Sequence, residues 1–575
     1  MEMCSIVEKL LEKRGISGKD VESFLDPSLK RLVFAAQIPG LAEAADVIMP
    51  FVRNGRRIVI FGDYDCDGVC ASVILAMTLR RIGANAETFV PDRFSEGYGL
   101  TAASVGRMLR DYPDVGLVVT VDCGITSAAE VKMLKDRDVS VVVTDHHLPP
   151  EKLPDCDAIV DPKVAGQCEK AEALGVRDLC GAGVAFFLAN MLATRAAEAG
   201  LYDGGKFGAP LLVLAGLATV VDIVPLVGQN RILVAAALKS FRTAAPVGLS
   251  ELLLRAQRRT GDVTSRDFGF LLGPRINAAG RMASAREALE LLMETSRESA
   301  RRLAIGVDAR NAERKTVENR MADEALAQIS EGFPNAIVVN GEGAGAGSRW
   351  HVGVCGIVAS RILEKYRVPV AVAVDGHGSA RAPEGYDVHA ALTACSHLLE
   401  RFGGHKAAGG FTVKDGLFAD FQIAFREACA VQREKRGIVC VEGAVREPDM
   451  WIEPCDLSME LHEAVSALEP FGEGNPEPVF GLRNVSFSDV RLMGEKGRHA
   501  ALSFSDRRIP RATWWNHGNE AGELRSRSSL RFDVTFTLDV SAWGGEEPHV
   551  ELRIQEVGAV RNNLPHCGNA SGDMI

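Results

Sequence analysis

A multidomain α/β protein is what this chain predicts, on three observations. Its 575 residues exceed one hydrophobic core, since domains run to roughly 100–200 residues. From about residue 56 apolar strands alternate with helices, the pattern of a parallel sheet covered on both faces. From about residue 437 short β-like runs follow one another between turn residues, as in a small barrel or sandwich.

Taken in order, residues 1–50 read as an N-terminal helical segment, with VEKLLEKRGI and VESFLDP carrying apolar positions three and four apart. Residues 51–300 form a first α/β domain, in which RRIVIFG, LVVTVDCG, VSVVVTD and DAIVDP are strands and GVCASVILAMTLRRIG and AAEVKMLKDRD are helices; its later part, 180–295, is mainly helical. The segment DARNAERKT has almost no apolar face, so residues 301–332 are expected as a solvent-bridging connecting helix. A second α/β domain, 333–435, starts at NAIVVN, crosses the glycine-rich GEGAGAGS, and continues through VCGIVASRILEKY and VPVAVAVDG. Residues 436–565 hold VSFSDVRLM, AALSFS, FDVTFTLDV and HVELRIQEV as the strands of the last domain.

Composition narrows the function. Sixty-five basic against 76 acidic residues leave a net charge of −11, which excludes coating nucleic acid by bulk electrostatics and leaves only a local basic groove. The 13 cysteines form no CxxC pair, against both a disulfide framework and a thiolate zinc site. The first residues lack the pattern of a signal peptide, and the longest apolar run, Ala209 to Val221, is too short to span a bilayer. A soluble, cytoplasmic protein with no membrane partner is expected.

Three strings place ionisable groups at strand ends: Asp63, Asp65 and Asp67 in GDYDCDG, Asp122 in VDCG, and Asp145, His146 and His147 in TDHH. Ligands collect at the carboxyl ends of parallel strands. Hard divalent cations take oxygen ligands with an occasional imidazole, and a pair of them needs a bridging carboxylate, for which Asp122 is the candidate. Each string alone also reads as a solvated turn; three together point to a binuclear metal centre and a hydrolase. Asp222 closes LLVLAGLATVVD, where it either caps the helix or binds a cation.

The ordered set GDYDCDG, PDRFSEGYG, VDCG, TDHH, LATVVDIVPL, GPRINAAGR, HVGVCGIVASR, SARA and GGHKAAGG resembles the DHH phosphoesterase superfamily with its DHHA1 partner domain, specifically the bacterial RecJ exonucleases. EPFGEGNPEPVF is similar to the start of the RecJ OB domain. The resemblance implies two α/β domains, DHH and DHHA1, joined by a long helix, and a C-terminal β-barrel OB domain. It implies 5′ to 3′ hydrolysis of single-stranded DNA to 5′-mononucleotides in DNA repair and recombination, with two divalent ions, Mn²⁺ or Mg²⁺. It assigns metal ligation to Asp65, Asp67, Asp122, His146 and Asp222, and puts His147 near the scissile phosphate. Many relatives have His at the position of Phe61; Asp63 or a water is then the replacement ligand here.

Residues that meet the strand are expected on four further motifs. Arg93 and Tyr98 in PDRFSEGYG suit a phosphate contact and a stacking platform, and the resemblance sets this loop beside the 5′ end. Arg275, Asn277 and Arg281 in GPRINAAGR, with Ser379 and Arg381 in GSARA, can grip a terminal phosphate. Gly403, Gly404 and His405 in GGHKAAGG offer close backbone approach to a phosphate. Trp514 and Trp515 lie in a stretch, 491–531, with nine basic and four acidic residues, and are either core or stacking platform. Single-strand-binding protein and a repair helicase are the partners the family implies. The alternatives are a relative acting on short oligonucleotides or cyclic dinucleotides, and a non-catalytic DNA-binding scaffold.

Overall fold

The computed structural model describes residues 5–559 apart from 94, 98, 206–207, 260, 262, 330–334, 342–349, 437–446, 495–496, 527–529 and 542–547. The expected stacking residue Tyr98 and most of GEGAGAGS lie outside the described residues. The chain divides into two compact units, one of residues 32–440 and one combining residues 1–31 with 441–575.

The larger unit opens on a five-stranded parallel sheet of β1 (Arg57–Gly62), β2 (Ala86–Phe89), β3 (Val115–Val121), β4 (Ser140–Thr144) and β5 (Ala158–Val160), in the order β2-β1-β3-β4-β5. Its central strands β1, β3 and β4 are mostly apolar because both faces are covered. On β1, Ile58 and Ile60 enter one core while Val59 and Phe61 enter the other, as a period of two requires. Phe61 stacks on Phe89 at 5.1 Å between ring centres, so this side chain belongs to the packing of the sheet. Helix α1 (Cys66–Arg81) leaves the end of β1, and α2 (Gly181–Glu198) and α3 (Gly208–Val221) pack with it in the larger core.

The chain then runs through a π-helical turn, Phe268–Leu272, into α4 (Gly273–Met282). The 31-residue helix α5 (Arg297–Ala327) follows. Its start buries Ala300, Ala304 and Val307 in the first core and its end buries Met321, Ala322 and Ala325 in another. Between them the buried positions are polar: Arg314 pairs with Glu318 at 2.7 Å and hydrogen-bonds Asn311. A helix without a continuous apolar stripe can be stable this way, because each end borrows a different core. The second sheet comprises β6 (Ile337–Gly341), β7 (Val370–Val374), β8 (His377–Arg381), β9 (Leu399–Gly404) and β10 (Ala408–Val413), ordered β6-β7-β8-β10-β9, with α6 (Cys355–Tyr366) packed on it. Only β6 and β7 pair in parallel.

The second unit is one seven-stranded sheet of β11 (Met450–Trp451), β12 (Phe480–Val485), β13 (Phe487–Met493), β14 (His499–Phe504), β15 (Ala512–Trp514), β16 (Phe532–Ser541) and β17 (His549–Ala559). Its order is β11-β12-β16-β17-β15-β14-β13, which does not close on itself among the described residues. Residues 1–50 do not stay together. The N-terminal helix Ser5–Lys13 buries Val7, Leu10 and Leu11 in the core of this sheet, and Arg14 donates to Asn475 and to the Pro476 carbonyl. Residues from Leu32 onward pack with the larger unit. Trp514 is buried and stacked on His517, whereas Trp515 is half exposed against His499. Neighbouring residues at a strand end face opposite sides. Among the described residues no single helix is long and apolar enough to cross a membrane.

Candidate metal centre

In an open parallel sheet the ligand crevice lies where the strand order changes direction, at the carboxyl ends. Here that point is between β1 and β3, and the three acidic strings converge on it. Asp63 and Asp65 follow β1, Asp122 follows β3, and Asp145, His146 and His147 follow β4. Asp222 arrives from the end of α3.

The side chains form three overlapping groups whose ligand atoms lie within 4.8 Å of one another: Asp63, Asp65 and Asp122; Asp122, His146 and His147; and Asp67, His146 and Asp222. His146 Nε2 is 3.1 Å from Asp122, 3.7 Å from Asp67 and 3.6 Å from Asp222. Asp122 therefore belongs to two of the groups and meets the third through His146. It holds a left-handed backbone, φ 60°, which turns its carboxylate back across the strand ends.

Backbone contacts, local and long-range, fix these ligands. Asp65 caps α1, its side chain accepting from Asp67 N at 2.9 Å and Gly68 N at 3.1 Å. Asp67 accepts from Gly181 N at 2.6 Å and Ala182 N at 2.7 Å, at the start of α2, where helix N-terminal amides stabilise an anion. A Cβ on Gly181 would lie 2.6 Å from the Asp122 Cβ, so only glycine lets α2 come this close. Asp145 accepts from Ile125 N, His146 N and His147 N, and its Oδ1 lies 2.7 Å from His147 Nδ1. That bond fixes the orientation of the ring.

The electrostatics of this cluster fit a cation pair. Burial, then mutual repulsion, raises the Asp63 and Asp122 carboxyls well above their ordinary value, Asp67 to about 6 and Asp222 to about 8. Burial, with the neighbouring His147, lowers His146 to about 3, leaving a neutral imidazole. Burial opposes charge on His147, but the hydrogen bond and charge of Asp145, with Asp222 and Asp67, outweigh it and push the ring up to about 9. Among the described residues, both nitrogens of His146 and Asp63 Oδ1 are buried without a hydrogen-bond partner. Orphaned polar atoms beside crowded carboxylates are costly unless a cation binds them. Oxygens with one imidazole suit Mg²⁺ or Mn²⁺.

Around this cluster the phosphate-binding candidates divide. Arg93 lies over the Tyr64 ring at 5.0 Å. Arg281 donates to the Gly353 carbonyl at 3.3 Å; burial, then the neighbouring Arg93, lowers it to about 10, against the attraction of Asp65. Arg381 and Ser379 share a face of β8 and approach Gly356 at the start of α6. These residues gather at one end of the acidic cluster. Arg275 is committed elsewhere, donating to Asp308 at 2.9 Å and to the Leu271 carbonyl. Asn277 Oδ1 accepts the Cys66 N–H at 2.8 Å, so it holds the start of α1. Gly403, Gly404 and His405 sit on the exposed β9–β10 hairpin, and no hydrogen bond or ion pair among the described residues joins them to the acidic cluster.

Asp145 is named in the sequence only as part of the TDHH string, and its role in orienting His147 comes from folding. His351, in HVGVCG, accepts from Gly353 N at 3.1 Å beside the Arg281 contact. Nothing local distinguished it from a core histidine.

Comparison with known proteins agrees with this geometry. Residues 57–209 match the DHH family, N-terminal domain; residues 335–431 the DHHA1 domain; and residues 448–556 the RecJ OB domain. The single-stranded-DNA-specific exonuclease RecJ of Haemophilus influenzae is 34% identical over 502 residues, covering 83% of each chain. That of Bacillus subtilis is 32% identical over 511 residues, 88% of this chain and 62% of that protein's own length. The crystal structure of RecJ from Thermus thermophilus in complex with Mn²⁺ superposes with a TM-score of 0.78 at 31% identity, covering 96% of this chain and 75% of that one. The Mg²⁺ complex of the same protein gives a TM-score of 0.73.

Proposed function

Because the chain belongs to the RecJ family of single-stranded-DNA-specific exonucleases, we propose that it shortens single-stranded DNA from the 5′ end and releases 5′-mononucleotides. The observation that carries this reading is Asp122, shared by two ligand groups at the β1–β3 crevice, with an arginine cluster at one end. Asp67, Asp122, His146 and Asp222 would hold one cation, and Asp63, Asp65 and Asp122 the other. With Phe61 packed on Phe89, Asp63 takes the place of the histidine many relatives carry there.

When bound, the cation pair supplies Lewis acidity, which activates water and offsets charge on the phosphoryl oxygens. The protein's own groups orient the reaction. Arg93, Arg281, Ser379 and Arg381 grip the terminal phosphate, where forked guanidinium donors match its oxygens. His147, charged and locked on Asp145, donates to an oxygen of the scissile phosphate. Water oxygen bonds to phosphorus, the bond to the 3′ oxygen breaks, and that oxygen takes up a proton. In this reading the substrate reaches the centre as a single strand in the cytoplasm, handed on by single-strand-binding protein and a helicase.

The test is incubation with Mn²⁺ and a 5′-phosphorylated strand labelled at its 3′ end, beside Asp122→Ala and His147→Ala. Progressive shortening is expected, absent in Asp122→Ala and slowed about 10²- to 10⁴-fold in His147→Ala. Turnover of dinucleotides alone would place the protein among small-phosphate hydrolases. Binding without cleavage would make it a scaffold, and full turnover by His147→Ala would remove that residue's role.

A further inference from the structure

The arginine cluster accounts for one flank of the acidic crevice. Arg93 acts electrostatically on Asp63, and Asp65 on Arg281, so those cations stand at the end of β1. In the strand order β2-β1-β3-β4-β5 the ligand groups draw on the ends of β1, β3 and β4, and no residue after β5 is among them. That last strand end carries Asp161, Pro162, Lys163 and Val164. They form a turn closed by the Val164 N–H on the Asp161 carbonyl at 3.1 Å, with aspartate first and proline second, the residues such a turn favours. The Asp161 side chain is fully buried and accepts the Lys163 N–H at 2.9 Å, which fixes the turn a second time.

This turn lies against the TDHH string. Thr144 is paired with Val160, and the Asp145 N–H donates to the Val160 carbonyl at 3.0 Å, so the chain leaves both strands side by side. From there Lys163, half-buried, acts electrostatically on His146 from β4 and on Asp222 from α3, as well as on Asp161 beside it. Among the described residues its ammonium nevertheless makes no hydrogen bond and no ion pair. Other lysines of this domain do close on a carboxylate, Lys132 on Asp136 and Lys135 on Asp157, each at 2.6 Å. An ammonium carried to a crevice and left without an anion of its own is a point charge for an incoming one, and lysine binds phosphate in that way. Between the ends of β1 and β5 lie three strand spacings of about 4.8 Å each. A terminal phosphate gripped at the arginine flank therefore leaves the next phosphate over the ligand groups, with Lys163 on its far side.

We propose that Lys163 donates to a non-bridging oxygen of the scissile phosphate, from the flank opposite the arginine cluster. The proposal rests on the exonuclease reading above. The doubly fixed turn gives the ammonium a rigid support, and its charge stands where negative charge builds on the phosphoryl oxygens during the reaction. Because the contact is to the backbone and not to a base, it carries no sequence preference.

The experiment measures binding in Mn²⁺, by fluorescence anisotropy, of two 5′-phosphorylated, 3′-labelled strands that resist cleavage at the first linkage. In one a methylene replaces the leaving 3′ oxygen and the charge of the linkage remains; in the other the linkage is an uncharged methylphosphonate. K163A is expected to bind the charged strand about ten-fold more weakly than the wild type, as loss of one charge-assisted hydrogen bond does, and to bind the methylphosphonate strand equally well. K163R, which keeps a cation, recovers most of the loss. The slope of log affinity against log salt on the charged strand becomes shallower by about 0.7 in K163A. Thermal melts of the wild type and K163A should coincide, because the ammonium holds nothing within the fold. Equal weakening on both strands, or none on either, would overturn the contact while leaving the exonuclease reading intact. A wild type that shortens no ordinary strand would overturn that reading itself.

Discussion

At the scale of single residues the centre depends on tolerances of a few tenths of an ångström. Asp122 serves two of the ligand groups only because Gly181 leaves room for it. A Cβ at 2.6 Å from another Cβ cannot be relieved by a side-chain rotation, so Gly181→Ala must displace either the start of α2 or Asp122 itself. We expect it to cost about 1–3 kcal/mol in unfolding free energy and to lower turnover about 10²-fold, as small misplacements of reacting groups do. Denaturant melts together with the strand-shortening assay check both. Arg275 and Asn277 carry the opposite lesson. Their residue types suit phosphate recognition, yet Asp308 and the Cys66 amide occupy them in this fold.

At the scale of elements, α4 is the piece that braces the metal-bearing loop. Asn277 accepts the first amide of α1, and Gly280 lies flat under the Tyr64 carbonyl, where a Cβ would meet the oxygen at 2.6 Å. Asn277→Ala should leave the Cys66 amide unmatched, at about 1–3 kcal/mol, and weaken Mn²⁺ binding by letting the Asp65–Asp67 turn loosen. Asn277→Asp keeps the acceptor and should recover most of both, which titration calorimetry with Mn²⁺ and thermal melts distinguish. The strands and the order of the acidic strings were legible in the sequence, because period-two apolar runs and turn residues are local signals. The bracing by α4 was not, because its contacts join residues 211 positions apart.

At the scale of the whole molecule, the hydrophobic cores of residues 32–440 are separate from that of the other unit among the described residues, and the ligand groups belong to the first. Calorimetry should therefore resolve two transitions, since independent cores do not melt as one. Mn²⁺ should raise only the transition of residues 32–440, by about 2.7 kcal/mol per site at a hundred-fold excess over Kd. The shift should vanish in Asp122→Ala. Equal movement of both transitions, or of neither, would contradict this assignment. The N-terminal helix Ser5–Lys13 melts with the C-terminal sheet in this picture, because Val7, Leu10 and Leu11 are buried there.

The sequence by itself determined the α/β class, the positions of the strand ends and the chemistry gathered at them. A ligand one or two residues beyond a strand is placed by covalent geometry, and hard oxygen donors with one imidazole specify the kind of cation. Tertiary structure alone decided which polar side chains remain available to a substrate and which are spent on holding the fold. It decided too that residues 1–31 join the C-terminal unit and that Trp515 and not Trp514 faces outward. Each of these depends on which distant segment packs alongside, and a side chain carries no local record of that partner.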